Sequence, residues 1–215
     1  MVNENQLIEN AFDYIKELFS KDYSGHDYYH SIRVYKNAVN IAQEEGGNLL
    51  LIKLAALLHD VDDRKLFDTS DRLDNARRFL QDNEVDEVMI GVICEMIKSV
   101  SFKGKESVIP TCIEGKIVQD ADRLDALGAI GIARTFAYGG HKGRPIYNPS
   151  EKPIEDMTAE EYQNHESNSI NHFYEKLLQL KDLMNTETAR VMAQKRHTFM
   201  EQYLDEFLCE WNGGK

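Results

Sequence analysis

The sequence predicts an all-α fold, a bundle of helices, and three observations support this prediction. Apolar residues recur at helical spacing along most of the chain, beginning with Leu7, Ala11, Ile15 and Leu18. No segment shows the sustained apolar–polar alternation of a half-buried strand. The chain has 215 residues, 42% of them apolar, which is enough to bury a core without disulfide or metal cross-links. We therefore expect one all-α domain over residues 1–215.

Three helices are predicted in the first part of the chain from their apolar faces and their end signals. The first ends near Ser20, and the second spans about 27–45 and stops at Gly46-Gly47. Asn48 is a candidate N-cap for a third helix from Leu49 to Leu58. Because this third segment is apolar almost all round, it predicts a central, buried helix.

The middle of the chain continues at helical spacing. Polar residues at 69–71 are candidate caps for a helix to about Gln81, and the next helix carries apolar residues from Val85 to Ile97. A further pattern begins near Ile113 and leads into a helix from Ala121 to Tyr138. These segments predict a helical core that is continuous up to residue 138.

The last third of the chain changes character twice. Residues 139–165 combine glycines and prolines with polar neighbours and show no period, which predicts a flexible loop. Helical patterning then returns over about 166–211, with one helix ending near Met184 and another from Thr186 to Trp211.

The acidic composition limits the partners that the protein can have. The chain carries 25 Lys and Arg against 37 Asp and Glu, a formal net charge of −12, and its pI is near 5.0. Such a surface repels nucleic acid and anionic membranes, so neither is an expected partner. Three cysteines (Cys94, Cys112 and Cys209) without C-x-x-C spacing support neither a disulfide framework nor a cysteine zinc site. The first residues do not resemble a signal peptide and no apolar run could span a bilayer, so we predict a soluble, cytoplasmic protein.

Four residues form the candidate chemical site. His59 and Asp60 come where the apolar third helix ends, and His30 lies one turn into the preceding helix, which a short loop makes an antiparallel neighbour. Asp122 lies at the start of a later helix. Two imidazoles and two carboxylates suit Mn²⁺, Fe²⁺, Co²⁺, Ni²⁺ or Zn²⁺ better than Ca²⁺. The alternative is that the two histidines bind no metal and instead make ordinary hydrogen bonds in the core or cap a helix end.

The order His30, His59-Asp60, Asp122 resembles the H…HD…D signature of the HD-domain superfamily of metal-dependent phosphohydrolases. The stretch DADRLDA at residues 120–126 is similar to the A-D-R-L stretch of alarmone hydrolases. This resemblance implies Asp122 as the ligand rather than Asp120 or Asp125. Three stretches carry the match: HDYYHSIRV, AALLHDVDD and DADRLDA, at residues 26–34, 55–63 and 120–126.

The whole chain resembles the small stand-alone bacterial branch of this superfamily, the YpgQ-like proteins, through its length, FAYGGH at 136–141 and MNTET at 184–188. This resemblance implies an HD core at about 26–138 and hydrolysis of a nucleoside triphosphate to monophosphate and pyrophosphate. A 5′-nucleotidase is the enzymatic alternative, and a non-catalytic nucleotide sensor or a structural dimer are the others. The metal-bridging pattern of dinuclear relatives is missing, which favours a single divalent ion (Mn, Ni, Co, Fe or Zn, with Mg less favoured). Alarmone is a less favoured substrate.

Two residues are candidates for proton transfer. Asp63 occupies the place after H-D-x-x where related hydrolases carry an acidic residue, so we expect it to act as general base or acid, with Asp62 as the second choice. A solvated acidic turn is the alternative reading. His26 precedes His30 by four residues and resembles the general-acid histidine of cyclic-nucleotide phosphodiesterases. Its alternative is an exposed histidine at a helix start.

Cations near these residues are candidates for binding phosphate. Arg33 follows His30 by three residues on one helix face, and Arg64 and Lys65 follow the acidic turn. Arg123 adjoins Asp122, although a structural pair with a carboxylate such as Asp125 is equally consistent with the sequence.

The expected partner is a small phosphorylated molecule of nucleotide type. The flexible, basic segment 139–145 could close over a polyphosphate as a lid, or it could be an ordinary loop or a dimer contact. No heptad pattern fixes the oligomeric state, so a homodimer stays open.

Overall fold

The structure is a computed structural model of the chain, and every regular element in its described residues is a helix, which confirms the all-α prediction. It describes all residues except 1–2, 21–26, 64–66, 68, 70–71, 101–106, 155–156, 159, 162–164, 166 and 215. The α-helices are α1 (Glu4–Leu18), α2 (Tyr28–Glu45), α3 (Leu49–Leu58), α4 (Asp74–Asp82), α5 (Glu87–Val100), α6 (Ile113–Asp125), α7 (Gly128–His141), α8 (Ser169–Glu175) and α9 (Glu187–Trp211), and a 3₁₀ helix spans Leu177–Leu183.

The described residues divide into two compact units. The first contains those of 3–100 and 108–122, and the second contains residue 107 and those of 123–214. The expectation of one domain over the whole chain stays a prediction.

The core of the first unit forms around α3. This helix packs against α1, α2 and α5, and its buried residues lie on all sides of the helix, as its apolar sequence predicts. The Asn48 side chain accepts hydrogen bonds from the N–H groups of Leu50 and Leu51, which confirms the predicted cap. The fully buried residues of α3 are Ile52, Leu54, Ala55, Ala56, Leu57 and Leu58.

The start of α4 differs from the prediction that residues 69–71 cap it. The helix begins at Asp74, and the residue at its cap position is Leu73, whose side chain cannot accept a hydrogen bond. Thr69 lies further back and accepts from the N–H of Leu73 through its carbonyl oxygen. The predicted caps at 70 and 71 lie outside the described residues.

The predicted helix from Ala121 to Tyr138 is wrong, because the chain breaks between α6 and α7. Gly128 has φ +70°, a left-handed conformation that glycine adopts readily and that cannot continue an α-helix. The N–H groups of Ala126 and Leu127 turn back to the carbonyl oxygens of Arg123 and Leu124. An isolated glycine within an apolar helical pattern does not reveal by itself that it ends a helix.

The second unit is built on α9, which packs against α7 and the 3₁₀ helix. The predicted helix ending near Met184 is split into α8 and the 3₁₀ helix at Lys176, whose φ −140° and ψ −58° are not helical. The Gln179 amide donates to the carbonyl oxygens of Tyr174 and Glu175 at the end of α8. The helix from Thr186 to Trp211 is confirmed, with Thr186 as its cap.

Part of the predicted flexible loop is held by hydrogen bonds. The N–H groups of Ser169 and Ile170 donate to the carbonyl oxygens of Pro145 and Ile146 at 3.0 Å each. The helical part of this segment extends to His141, so the break in helical character comes later than residue 139.

No helix in the described ranges has both the length and the apolar character that crossing a membrane requires.

Candidate metal centre

The two histidines of the signature meet between α2 and the end of α3. His30 lies in the first turn of α2, where Asp27 accepts a hydrogen bond from its backbone N–H, and His59 is the residue at which α3 ends. Their Nε2 atoms are 3.2 Å apart and both side chains are buried. The offset of the two helices, which the sequence alone left open, therefore brings the imidazoles together.

Two carboxylates close the cluster. The Asp60 carboxylate lies 3.3 Å from Nε2 of His30 and 3.4 Å from Nε2 of His59. The Asp122 carboxylate, on α6, lies 3.3 Å and 3.8 Å from the same two atoms. Single ligand atoms of His30, His59 and Asp122 all lie within 4.8 Å of one another. The four candidate residues of the sequence analysis thus converge at one place.

The chemistry of these donors fits a bound divalent cation. Nδ1 of His59 donates to the carbonyl oxygen of Ala56 at 2.9 Å, so in the neutral ring Nε2 carries the lone pair that faces the cluster. Two carboxylates present further lone pairs to the same point, at a combined charge of about −2. Such a set needs a proton or a metal at its centre, and imidazole with carboxylate oxygen favours first-row divalent ions.

Two contacts near Asp122 hold α6 beside α2 and engage the nearby carboxylate of Asp125 elsewhere. The Asn37 amide, on α2, donates to the carbonyl oxygen of Ala121 at 3.3 Å and ties α6 to the helix that carries His30. Asp125 is buried and accepts from Arg134 at 2.8 Å. The Asn37 contact could not be predicted from the sequence, because a polar residue on a helix is usually solvated.

The charges of the cluster keep Asp122 ionised. Burial alone would raise the pKa of this carboxyl group, and the charge of Asp60 also raises it. A hydrogen bond from His30 and the positive charges of His59 and His30 outweigh both effects, and they lower the pKa of Asp122 from 3.8 to about 2.

This lowered pKa makes the stability of the metal-free protein depend on pH. A carboxyl group whose pKa is lower in the folded state stabilises the fold above its unfolded pKa of 3.8, and this stabilisation is lost as the pH falls through about 2. At pH 5 we expect Asp122→Asn to lower the free energy of unfolding by on the order of 2 kcal/mol. Denaturant unfolding at pH 5, 4, 3 and 2 should show this difference shrinking toward zero. A difference that stays constant over this range would contradict the prediction.

The structure distinguishes the two aspartates of the acidic turn, Asp63 and the second-choice Asp62. Asp62 is buried, and its two oxygens accept from the backbone N–H groups of Asn75 and Ala76 at 3.0 and 2.9 Å. Asp63 is half-buried, and its own N–H donates to the carbonyl oxygen of Asp60 at 3.0 Å. Asp63 therefore lies one turn from Asp60, a candidate metal ligand, whereas the carboxylate of Asp62 accepts hydrogen bonds from the first turn of α4.

Of the predicted phosphate-binding cations, the structure describes Arg33 and Arg123, and these two differ in burial. Arg33 is half-buried on α2, one turn after His30. Arg123 is buried, and its guanidinium donates a short hydrogen bond to the carbonyl oxygen of Leu183. Asp125, the carboxylate of the alternative structural pair, accepts from Arg134, as described above. His26, Arg64 and Lys65 lie outside the described residues, and their roles stay predictions.

Comparison with known families supports the resemblance. Residues 27–127 match the family model for the HD domain. The chain is 38% identical over 208 residues to the uncharacterized protein YpgQ of Bacillus subtilis, covering 94% of this chain and 93% of that protein.

Solved structures show the same architecture. A crystal structure of a protein from Lactobacillus plantarum is 39% identical and covers 99% of this chain and 100% of its own, with a TM-score of 0.88. An HD-superfamily hydrolase from Bacillus thuringiensis is 44% identical and covers 98% and 99%, with a TM-score of 0.73. The structure of YpgQ in complex with ADP is 34% identical and covers 95% and 94%, with a TM-score of 0.76.

Proposed function

Because the chain belongs to the HD-domain family, we propose that it is a metal-dependent phosphohydrolase that cuts a nucleoside triphosphate to a monophosphate and pyrophosphate. The observation that carries this proposal is the convergence of two imidazoles and two carboxylates at 3.2–3.8 Å. A nucleotide substrate is supported by YpgQ, whose structure was solved in complex with ADP.

One divalent ion would be held by His30, His59, Asp60 and Asp122. The nitrogen ligands favour Mn²⁺, Ni²⁺, Co²⁺, Fe²⁺ or Zn²⁺ over Mg²⁺. When bound, such an ion polarises a phosphoryl oxygen and lowers the pKa of water toward about 7. The ligand charge of about −2 only balances the ion. A triphosphate therefore needs further cations, a role that we assign to Arg33, Arg64 and Lys65.

In the proposed reaction a water oxygen attacks the α-phosphorus and the bond to the bridging α–β oxygen breaks. Pyrophosphate leaves with the electron pair of that bond. Asp63 accepts the proton that the water loses, because its backbone is fixed one turn from Asp60. His26 is the proposed donor of a proton to the leaving pyrophosphate.

The test is a product analysis in ¹⁸O-labelled water, with Mn²⁺, Co²⁺, Ni²⁺ or Mg²⁺ added to purified protein. A panel of nucleoside mono-, di- and triphosphates would be followed by ³¹P NMR. We expect triphosphates to give monophosphate and pyrophosphate, with ¹⁸O in the monophosphate, since attack at the α-phosphorus places the label there. Turnover with Mn²⁺, Co²⁺ or Ni²⁺ should exceed turnover with Mg²⁺.

Other products would identify other functions. Release of inorganic phosphate from monophosphates would establish a 5′-nucleotidase and refute the pyrophosphohydrolase. Tight nucleotide binding with no turnover under any of the four ions would refute the enzyme and support a sensor.

A further inference from the structure

The turn that carries Asp60 is fastened to α4 by a set of hydrogen bonds that we name the turn–α4 clasp. The Asp62 carboxylate accepts from the N–H groups of Asn75 (3.0 Å) and Ala76 (2.9 Å). In the opposite direction, the Asn75 amide donates to the carbonyl oxygen of Val61 at 2.8 Å. Two consecutive residues after Asp60 are therefore bound to the first turn of one helix.

The clasp supplies the cap that α4 does not make with its own cap residue. The first N–H groups of a helix have no partner within the helix and carry its positive dipole end, so a carboxylate placed there is stabilised. Here that carboxylate comes from Asp62, 13 and 14 residues before the two N–H groups that donate to it. Asp62 is only 2% exposed, so water cannot readily replace its hydrogen bonds to the N–H groups of α4.

The backbone at the start of α4 is itself held in an unfavourable conformation. Leu73, directly before the helix, has φ 56° and ψ 47°, the left-handed region that a leucine rarely adopts. Such a conformation persists only where the surroundings fix it. Leu73 is buried, and its N–H donates to the carbonyl oxygen of Thr69 at 2.9 Å.

The clasp acts on the metal ligands through a short turn that is hydrogen-bonded on both sides of Asp60. On one side, Nδ1 of His59 is held by Ala56, and the N–H of Val61 donates to Leu58 at 3.3 Å. On the other side, Val61 and Asp62 are held by α4. Asp60 lies between these two anchors, so the direction of its carboxylate depends on both.

We infer that Asp62 is a positioning residue, which through the clasp holds the Asp60 carboxylate in place for a divalent metal ion and so sets the affinity of the centre for that ion. This inference rests on the metal site of the proposed function. It assigns Asp62 a role other than proton transfer. The charge of Asp62 also acts on half-buried Tyr14 of α1, since burial and then this charge raise the pKa of Tyr14.

The test compares Asp62→Asn with Asp86→Asn in the full-length protein. Asp86 is a matched control, because its carboxylate also accepts from a helical N–H, that of Met89 at 3.0 Å, and it caps α5 instead of α4. Asp62→Asn replaces one of the two accepting oxygens at the start of α4 by an amide NH₂ group and removes the negative charge there, so it should melt at a lower temperature. Asp86→Asn removes the charge at the start of α5 but keeps an oxygen that can accept from Met89, so its melting temperature should fall less. Mn²⁺ affinity would be measured by chelator competition at a temperature where far-UV circular dichroism shows every variant folded.

We expect Asp62→Asn to weaken Mn²⁺ binding by about 10–100-fold, as residues that orient metal ligands do, and Asp86→Asn to leave it within about twofold of wild type. The visible spectrum of bound Co²⁺, which reports ligand geometry, should change only in Asp62→Asn. Asn75→Ala provides a second variant that keeps the Asp62 carboxylate but loses the bond to Val61, and it should weaken Mn²⁺ binding in the same direction. If Asp62→Asn fails to fold, this variant decides.

The outcomes separate the inference from the proposed function. Weaker Mn²⁺ binding in Asp62→Asn, beside a wild-type protein that turns over no nucleotide, would support the clasp and refute the enzyme. Unchanged Mn²⁺ affinity and Co²⁺ spectrum in Asp62→Asn and Asn75→Ala would overturn the clasp while the enzyme stands. A wild-type protein that binds no Mn²⁺ or Co²⁺ would overturn both.

Discussion

Replacing Asp60 by alanine is expected to abolish both metal binding and turnover. Asp60 lies within 3.3–3.4 Å of the Nε2 atoms of both histidines, so its loss removes one negative charge and one of the four donors at once. Metal-assisted phosphoryl chemistry gains several kcal/mol from charge stabilisation, and 1.36 kcal/mol is a factor of ten in rate. We therefore expect kcat/KM to fall by at least roughly 10³-fold.

Metal content and turnover would be measured on the same preparation. Inductively coupled plasma mass spectrometry should find roughly one metal per wild-type chain and none in Asp60→Ala, as expected for a centre of four protein ligands. Asp13→Ala, an exposed carboxylate of α1, is the matched control and should retain both metal and activity. Chelation of wild-type protein should mimic Asp60→Ala, and added Mn²⁺ should restore activity only to the wild type. An Asp60→Ala protein with full metal content and wild-type kcat/KM would refute this assignment of the centre.

The fold was predictable from the sequence where local signals suffice. The third helix was predicted to the residue, because an asparagine cap precedes a run that is apolar on all sides. The break at Gly128 was not predictable, since the same residue could have stayed within a helix. The segment before Met184 is divided at Lys176, a residue whose type does not indicate the end of a helix.

The candidate site also has features that the sequence predicts and features that depend on packing. The order of His30, His59 and Asp60 made them candidates, and the resemblance to the HD-domain superfamily added Asp122 in preference to Asp120 or Asp125. Their approach depends on the offset between α2 and α3, which is a property of packing. The sequence could not separate the roles of Asp62 and Asp63, because both follow the ligand in one acidic turn. The distinction arises from α4, whose first N–H groups take one of the two carboxylates.

Replacing Gly131 by alanine is expected to destabilise the second unit strongly. A Cβ atom at this position would lie 2.2 Å from the carbonyl oxygen of Ala126 and 2.5 Å from its carbonyl carbon, far inside van der Waals contact. Both atoms belong to the backbone of the turn between α6 and α7, so no side-chain rotation can relieve the clash. The turn or α7 must move, and the N–H of Gly131, which donates to Leu127 at 3.4 Å, would move with it.

Overpacking of this kind costs about 1–3 kcal/mol and sometimes more, and the rigidity of the contacted atoms places Gly131→Ala at about 3 kcal/mol. For a chain of this size each kcal/mol corresponds to about 2–4 °C, so the melting temperature should fall by roughly 6–12 °C. Gly140→Ala is the matched control on the same helix, because its Cβ would meet nothing within 4 Å. Alanine is the better helix former, so Gly140→Ala should be neutral or stabilising by up to about 1 kcal/mol. Thermal unfolding by circular dichroism separates the two, and equal melting temperatures would show that the turn before α7 can yield without cost.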